Sequence, residues 1–214
     1  SLLEVRLNRP TRRNSFSREL RDALLDALEL PALDPSIERV RLVGEGPAFC
    51  SGGDLDEFGT TTDVVVAHRV RTTQAVGLAI DRLGDRLEVV IHGACIGAGI
   101  EVPAFARRVL ARPDVSIRLP ELAMGLVPGA GGTVSLPRRI GRWRTEYLAL
   151  TGEPIGLATA LEWGLVNSVV PAAQLGGREA GLAEEVTHPP RQRRRAGRVE
   201  GQPVGFLREA VVVE

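Results

Sequence analysis

The chain has 214 residues, 43% of them hydrophobic and 25% charged, the make-up of a globular domain with a full core and not of a disordered or fibrous chain. Its formal net charge is zero, so composition gives no pull toward nucleic acid or an anionic membrane. Two cysteines outside any C-x-x-C pair argue against a disulfide scaffold, and the lack of a signal peptide or of an apolar run near 18 residues is read as a cytoplasmic enzyme.

Leu2 to Leu7 reads as a strand closed by Asn8-Arg9-Pro10. Ser17 is a candidate N-cap for an amphipathic helix to about Leu30, with leucines 20, 24, 25 and 28 on one face. Arg39 to Val43 predicts a strand broken by Gly44-Glu45-Gly46-Pro47. A helix is expected from about residue 63 to 83, then a short buried strand, Leu87 to Ile91. Gly93 to Gly99 predicts a glycine-rich turn into a helix carrying Glu101. Residues 108–119 hold one or two short strands. Residues 133–163 read as helical with breaks at Gly141 and Gly152, and Leu165 to Val170 as a last strand. Residues 171–214, with the run Arg191 to Arg195, read as a C-terminal helical, arginine-rich segment apart from a 1–170 core. Alternating strand and helix argues α/β.

Three stretches carry chemistry. The first is Ala48-Phe49-Cys50-Ser51-Gly52-Gly53-Asp54, where small residues let backbone approach a ligand; an ordinary turn is its plain alternative. The second is Ile91-His92-Gly93-Ala94-Cys95-Ile96-Gly97-Ala98-Gly99-Ile100-Glu101, whose unpaired N–H groups at a helix start suit an oxyanion. A dinucleotide fingerprint fails here, because Val102 and Pro103 occupy the place of the third small residue. The third runs from Leu119-Pro120-Glu121 to Pro128-Gly129-Ala130-Gly131-Gly132-Thr133. A carboxyl at Glu121 among apolar residues has the raised pKa a general acid needs, unless it is a surface side chain at a helix start.

In this order, and with Asn8-Arg9-Pro10 ahead of them, the three blocks resemble the crotonase (enoyl-CoA hydratase/isomerase) family over residues 2 to about 171. The resemblance implies a spiral of ββα units with a C-terminal helical region, an acyl-coenzyme A thioester as substrate, no cofactor beyond the coenzyme A it carries, no metal, and a homotrimer or dimer of trimers. It places the oxyanion-hole N–H groups on Ser51 and Ala98, the catalytic carboxyls on Glu101 and Glu121, and Gly129 near the reacting water. Residues Ser51, Gly52, Gly53 and Asp54 line the thioester end. Retention of both glutamates points to an enoyl-CoA hydratase, with Glu121 protonating the α-carbon and Glu101 helping to activate water. An isomerase or specialised dehydratase is the nearest rival. An RNA-binding protein using Arg191 to Arg195, or a non-catalytic assembly subunit, is the rival of another class.

The chain departs from the family in a short region past the last strand, in Pro103 early in the Glu101 helix, in Arg107, and in Arg118, which is expected to point outward along a strand. Arg12 and Arg13 are candidates for coenzyme A phosphate, with a solvated loop as the alternative. His92 and Cys50 are read as structural.

Overall fold

The computed structural model describes residues 1–61, 63–170 and 207–213. Its elements are β1 (Leu2–Leu7), α1 (Arg18–Leu33), β2 (Arg39–Gly44), β3 (Ala48–Cys50), α2 (Val64–Thr73), α3 (Val76–Leu83), β4 (Leu87–Ile91), β5 (Ala94–Ile96), α4 (Ala98–Glu101), β6 (Arg108–Ala111), β7 (Ser116–Arg118), α5 (Gly132–Ile140), α6 (Arg142–Thr151), β8 (Ile155–Gly156), α7 (Leu157–Glu162), β9 (Ser168–Val169) and β10 (Leu207–Val213). From β2 to β7 the strands enter two sheets alternately. The larger has the order β10-β1-β2-β4-β6-β9 and the smaller β3-β5-β7-β8. Neighbours in both are parallel except β7 and β8. The pairs β2 and β3, β4 and β5, and β6 and β7 thus each give one strand to each sheet before the following helix, the expected spiral of ββα units.

Side-chain alternation explains the larger sheet. Leu3, Val5 and Leu7, Val40 and Leu42, Val89 and Ile91, and Val109 and Ala111 are buried in one core. The intervening positions put Glu4, Arg41, Glu88 and Arg108 side by side across four strands. Signs alternate along that row, and the Arg41 guanidinium lies 2.6 Å from the Glu88 carboxylate. Opposite charges in register add to a pairing that the buried apolar face already specifies.

The helix α1 begins at the expected cap: Ser17 Oγ accepts from Leu20 N–H at 3.2 Å. Leu20, Leu24, Ala27, Leu28 and Pro31 form its buried stripe, with Leu25 half-buried. It runs three residues beyond the expected end, because Pro31 sits in its last turn and packs inward.

Other expectations are corrected. The segment expected as one helix to residue 83 is two, α2 and α3, and α2 buries no residue. The glycine-rich turn contains β5, whose short apolar Ala-Cys-Ile is hidden between glycines. The Glu101 helix is one turn long; Pro103 has no N–H for a further turn and opens a 3-10 turn over Pro103–Phe105. The last strand of the core is only Ser168–Val169. Residues 207–213, expected to be helical, form β10, parallel to β1 at the sheet edge. The Arg191 to Arg195 run lies outside the described residues. Among the described residues no helix is long and apolar enough to cross a membrane.

Loss of the α1 cap in Ser17→Ala should cost about 1 kcal/mol and lower the thermal midpoint by roughly 2–4 °C. Ser17→Asp should keep wild-type stability. Equal midpoints for wild type and Ser17→Ala would show that the cap contributes nothing.

Candidate active site

The strands β3 and β5 run side by side, with Cys50 opposite Cys95. After that pair both chains leave the ladder through glycines. A Cβ on Gly99 would stand 2.3 Å from the Cys50 carbonyl oxygen, so the two segments touch backbone to backbone. This contact requires the small residues that marked both motifs.

The free amides are not quite those expected. Ser51 N–H donates to the Arg13 carbonyl at 3.0 Å, which removes Ser51 as an oxyanion donor and corrects that assignment. Residue 53 forms a parallel bridge with Phe16, in which Phe16 N–H donates to Gly52 O at 2.7 Å and Asp54 N–H to Phe16 O at 3.2 Å. In such a pairing the bridged residue turns its own N–H to the opposite side. Gly53 N–H therefore faces away from Phe16 and has no partner among the described residues. Three residues past the Cys50–Cys95 pair, each chain thus offers one open amide: Gly53 on one, Ala98 on the other. Ala98 begins α4 with no side-chain cap, while the next two helix-start bonds, from Ile100 and Glu101 N–H, both go to Gly97 O at 2.9 Å. With only one turn of helix behind it, the Ala98 N–H gains little from a macrodipole.

The two glutamates come together next to Gly97, the residue before the Ala98 amide. Glu101 is 2% exposed. Its Oε2 accepts from Ala130 N–H and Gly132 N–H, both at 2.8 Å, and its backbone carbonyl accepts from Ser135 Oγ at 2.7 Å. Glu121 opens a 3-10 turn over Glu121–Met124. A Cβ on Gly97 would lie 2.5 Å from Glu121 Oε1 and 3.9 Å from Glu101 Oε1, so both carboxyls press against the residue preceding the Ala98 donor. Burial pushes the Glu101 carboxyl up to about 7, against the pull of the Gly132 and Ala130 N–H groups. Burial also raises Glu121. The contact between the two carboxyls raises Glu101 and lowers Glu121. The pair therefore keeps one proton near neutrality. Glu121 Oε2 is buried with no hydrogen-bond partner, an acceptor left over for a ligand.

The remaining predicted residues divide. Gly52 (φ 99°) turns the chain against Ile96. Asp54 is buried, and its carboxylate accepts from Ser15 Oγ at 2.9 Å and lies 3.4 Å from both Arg9 and Arg12; the Ser15 bond and these cations hold it below the usual carboxylate range. Its side chain anchors the loop and is not aimed at a ligand. Gly129 is exposed and makes none of the Glu101 bonds, which fall to Ala130 and Gly132. Sequence reasoning passed over those two and Ser135, hinted at only by the glycine spacing after Pro128; it placed Gly53 at the thioester end but did not assign it the open amide.

Arg12 pairs with Asp56 and Asp54. Arg118 points outward, as expected, with its guanidinium on Gly152 O, and Arg107 pairs with Asp85. His92 lies 2.9 Å from Gly46 O, and burial lowers its pKa. Burial pushes the Cys50 thiol up to about 12, unsuited to a nucleophile. Among the described residues no group of His, Cys, Asp and Glu could hold a metal ion.

Residues 1–197 match the model of the family described as enoyl-CoA hydratase/isomerase. The chain is 32% identical over 171 residues to the 2,3-dehydroadipyl-CoA hydratase of Escherichia coli (strain K12), covering 80% of this chain and 66% of that protein. It is 31% identical over 176 residues to the enoyl-CoA isomerase/hydratase fer4 of Mycosarcoma maydis, covering 78% and 64%. It thus spans about two thirds of the length of these relatives. The crystal structure of enoyl-CoA hydratase from Bacillus anthracis superposes with a TM-score of 0.72 at 34% identity, over 81% of this chain and 68% of that one.

A carboxyl raised to about 7 stabilises the fold fully below its ordinary pKa near 4.5, and that stability is lost as pH rises through 7. Glu101→Gln mimics the protonated form: its oxygen can still accept from Ala130 and Gly132 and its amide can donate to Glu121. The variant should be close to wild type at pH 5 and more stable at pH 8 by up to roughly 3 kcal/mol. Denaturant unfolding at the two pH values reads this, and a pH-independent difference would rule out the raised carboxyl.

Proposed function

The chain belongs to the enoyl-CoA hydratase/isomerase family, and from that premise we propose that it adds water reversibly to a 2-enoyl-CoA thioester. The observation that carries the reading is the carboxyl pair sharing one proton beside two open amides. A hydration needs all of these parts at once.

The thioester oxygen gains negative charge when water adds at the β-carbon. The Gly53 and Ala98 N–H groups are assigned to receive it; loss of one such donor typically costs ~2.7–4 kcal/mol. Glu121, with Oε2 unpartnered, is assigned to the α-carbon. Glu101, fixed by Ala130 and Gly132, is assigned to the water. In hydration Glu121 gives its proton to the α-carbon while Glu101 takes one from water, leaving Glu101 protonated and Glu121 ionised. In elimination Glu101 protonates the departing hydroxyl and Glu121 takes the α-proton. Transfer of one proton across the bond between the carboxyls resets the pair, so one site serves both directions.

We further propose that the chain assembles with its own copies as a trimer or a dimer of trimers. The helix α6 supports this with Trp143, Tyr147 and Leu150, which follow one face at i, i+4 and i+7 and are 71%, 49% and 74% exposed. A surface of that kind is unusual on a monomer.

Glu101→Gln and Glu121→Gln should each lower turnover of a 2-enoyl-CoA by roughly 10²–10⁴-fold, followed as loss of enoyl absorbance. Near-normal turnover in both contradicts the two-carboxyl mechanism. Double-bond migration in a 3-enoyl-CoA that survives Glu101→Gln but not Glu121→Gln, without hydration, identifies an isomerase instead. Trp143→Glu combined with Leu150→Glu should convert the assembly to monomer in sedimentation. A wild-type chain that sediments as a monomer refutes the assembly.

A further inference from the structure

We infer that Asn14 is a positioning residue: its buried side chain fixes the register in which residues 12–16 join residues 51–54, and so decides which amide meets the thioester oxygen. The inference rests on the function proposed above.

Asn14 is 0% exposed. It and Arg13 are the only non-glycine residues with positive φ among those described, at 53° and 51°. Asparagine tolerates that left-handed backbone better than most residues. Its amide is used almost completely. Oδ1 accepts from Arg9 N–H at 2.8 Å, and Nδ2 donates to Glu45 O and Ala48 O, both at 2.9 Å. Glu45 and Ala48 flank the turn between β2 and β3, so one side chain joins the 9–14 turn to the start of the strand that leads into the Ser51–Asp54 loop.

The next bonds follow from that clamp. The left-handed pair turns the Arg13 carbonyl onto Ser51 N–H at 3.0 Å. Phe16 and Asp54 then complete the parallel bridge around residue 53, and Ser15 Oγ locks the Asp54 carboxylate. Amides alternate sides along an extended chain. A slip of one residue between the segments would turn Gly53 N–H toward Phe16 and expose a neighbouring amide in its place. Asn14 touches no reacting atom, yet the direction of the Gly53 donor depends on it.

The test uses the full chain and a coenzyme A thioester of an aromatic enoyl acid, whose long-wavelength absorbance moves to the red when N–H donors polarise its carbonyl. Wild type should bind the probe with a red shift. Asn14→Gly keeps the left-handed backbone and deletes the amide. It should bind the probe within about fivefold of wild type, lose most of the red shift, and lose kcat by about 10²–10³-fold with KM little changed, the effect of losing one oxyanion donor. Asn14→Asp keeps the size and the acceptor for Arg9 while removing the donations to Glu45 and Ala48; it should show the same split and serves if the first variant does not fold. A folded variant with intact red shift and kcat overturns the inference, as does a parallel loss of binding and shift. A wild-type chain that binds the probe with no red shift overturns the thioester reading together with it. A wild-type shift that survives in both variants overturns the role of Asn14 alone.

Discussion

Two carboxyl groups held together out of water cannot both ionise without large cost, and the site is built around that constraint. Glu101 is set by backbone: two N–H groups on one oxygen and a serine hydroxyl on its carbonyl. Its other oxygen faces Glu121. Glycine at 132 is required because any side chain there would collide with Glu101, a Cβ falling 2.6 Å from its Cγ. Glycine at 97 is required for the same reason on the other carboxyl. The glycines flanking both motifs thus act as space for carboxylates.

The amide side of the site obeys a different logic, that of strand register. β3 and β5 bring two chains into contact, and the turn at residues 9–16 takes up the amides that are not needed. Hydrogen-bond saturation separates the two amides: Ser51 is occupied and Gly53 is open among the described residues. A donor fixed by backbone pairing on a sheet-supported loop is preorganised, and such donors need little rearrangement as charge develops.

Much of this was legible in the sequence because it rests on patterns with short reach. The Leu2–Leu7 alternation, the Ser17 cap and the buried Leu87–Ile91 run appear in the structure where periodicity put them. Glu121 stood out by its apolar, glycine-rich surroundings and Glu101 by the family resemblance of its motif, and they do meet. Residues whose role depends on pairing between distant segments were not legible. Ser51 and Gly53 are both small and lie two apart; only the Arg13 and Phe16 bonds tell them apart. β5 was hidden because three residues between glycines carry no period. β10 lies at the far end of the chain, and its partnership with β1 is a contact that local propensity does not encode. Pro103 was visible as a disturbance, but its effect, a helix cut to one turn, required the next backbone bond.

In the proposed complex a thioester oxygen rests between the Gly53 and Ala98 amides with the carboxyl pair over the adjoining carbons. A crystal structure with acetoacetyl-CoA bound tests it most directly. The thioester oxygen should lie about 3 Å from both nitrogens, with the Glu121 Oε2 atom over the α-carbon. An oxygen held by any other pair of donors, or a ligand whose α-carbon lies away from both glutamates, would contradict it.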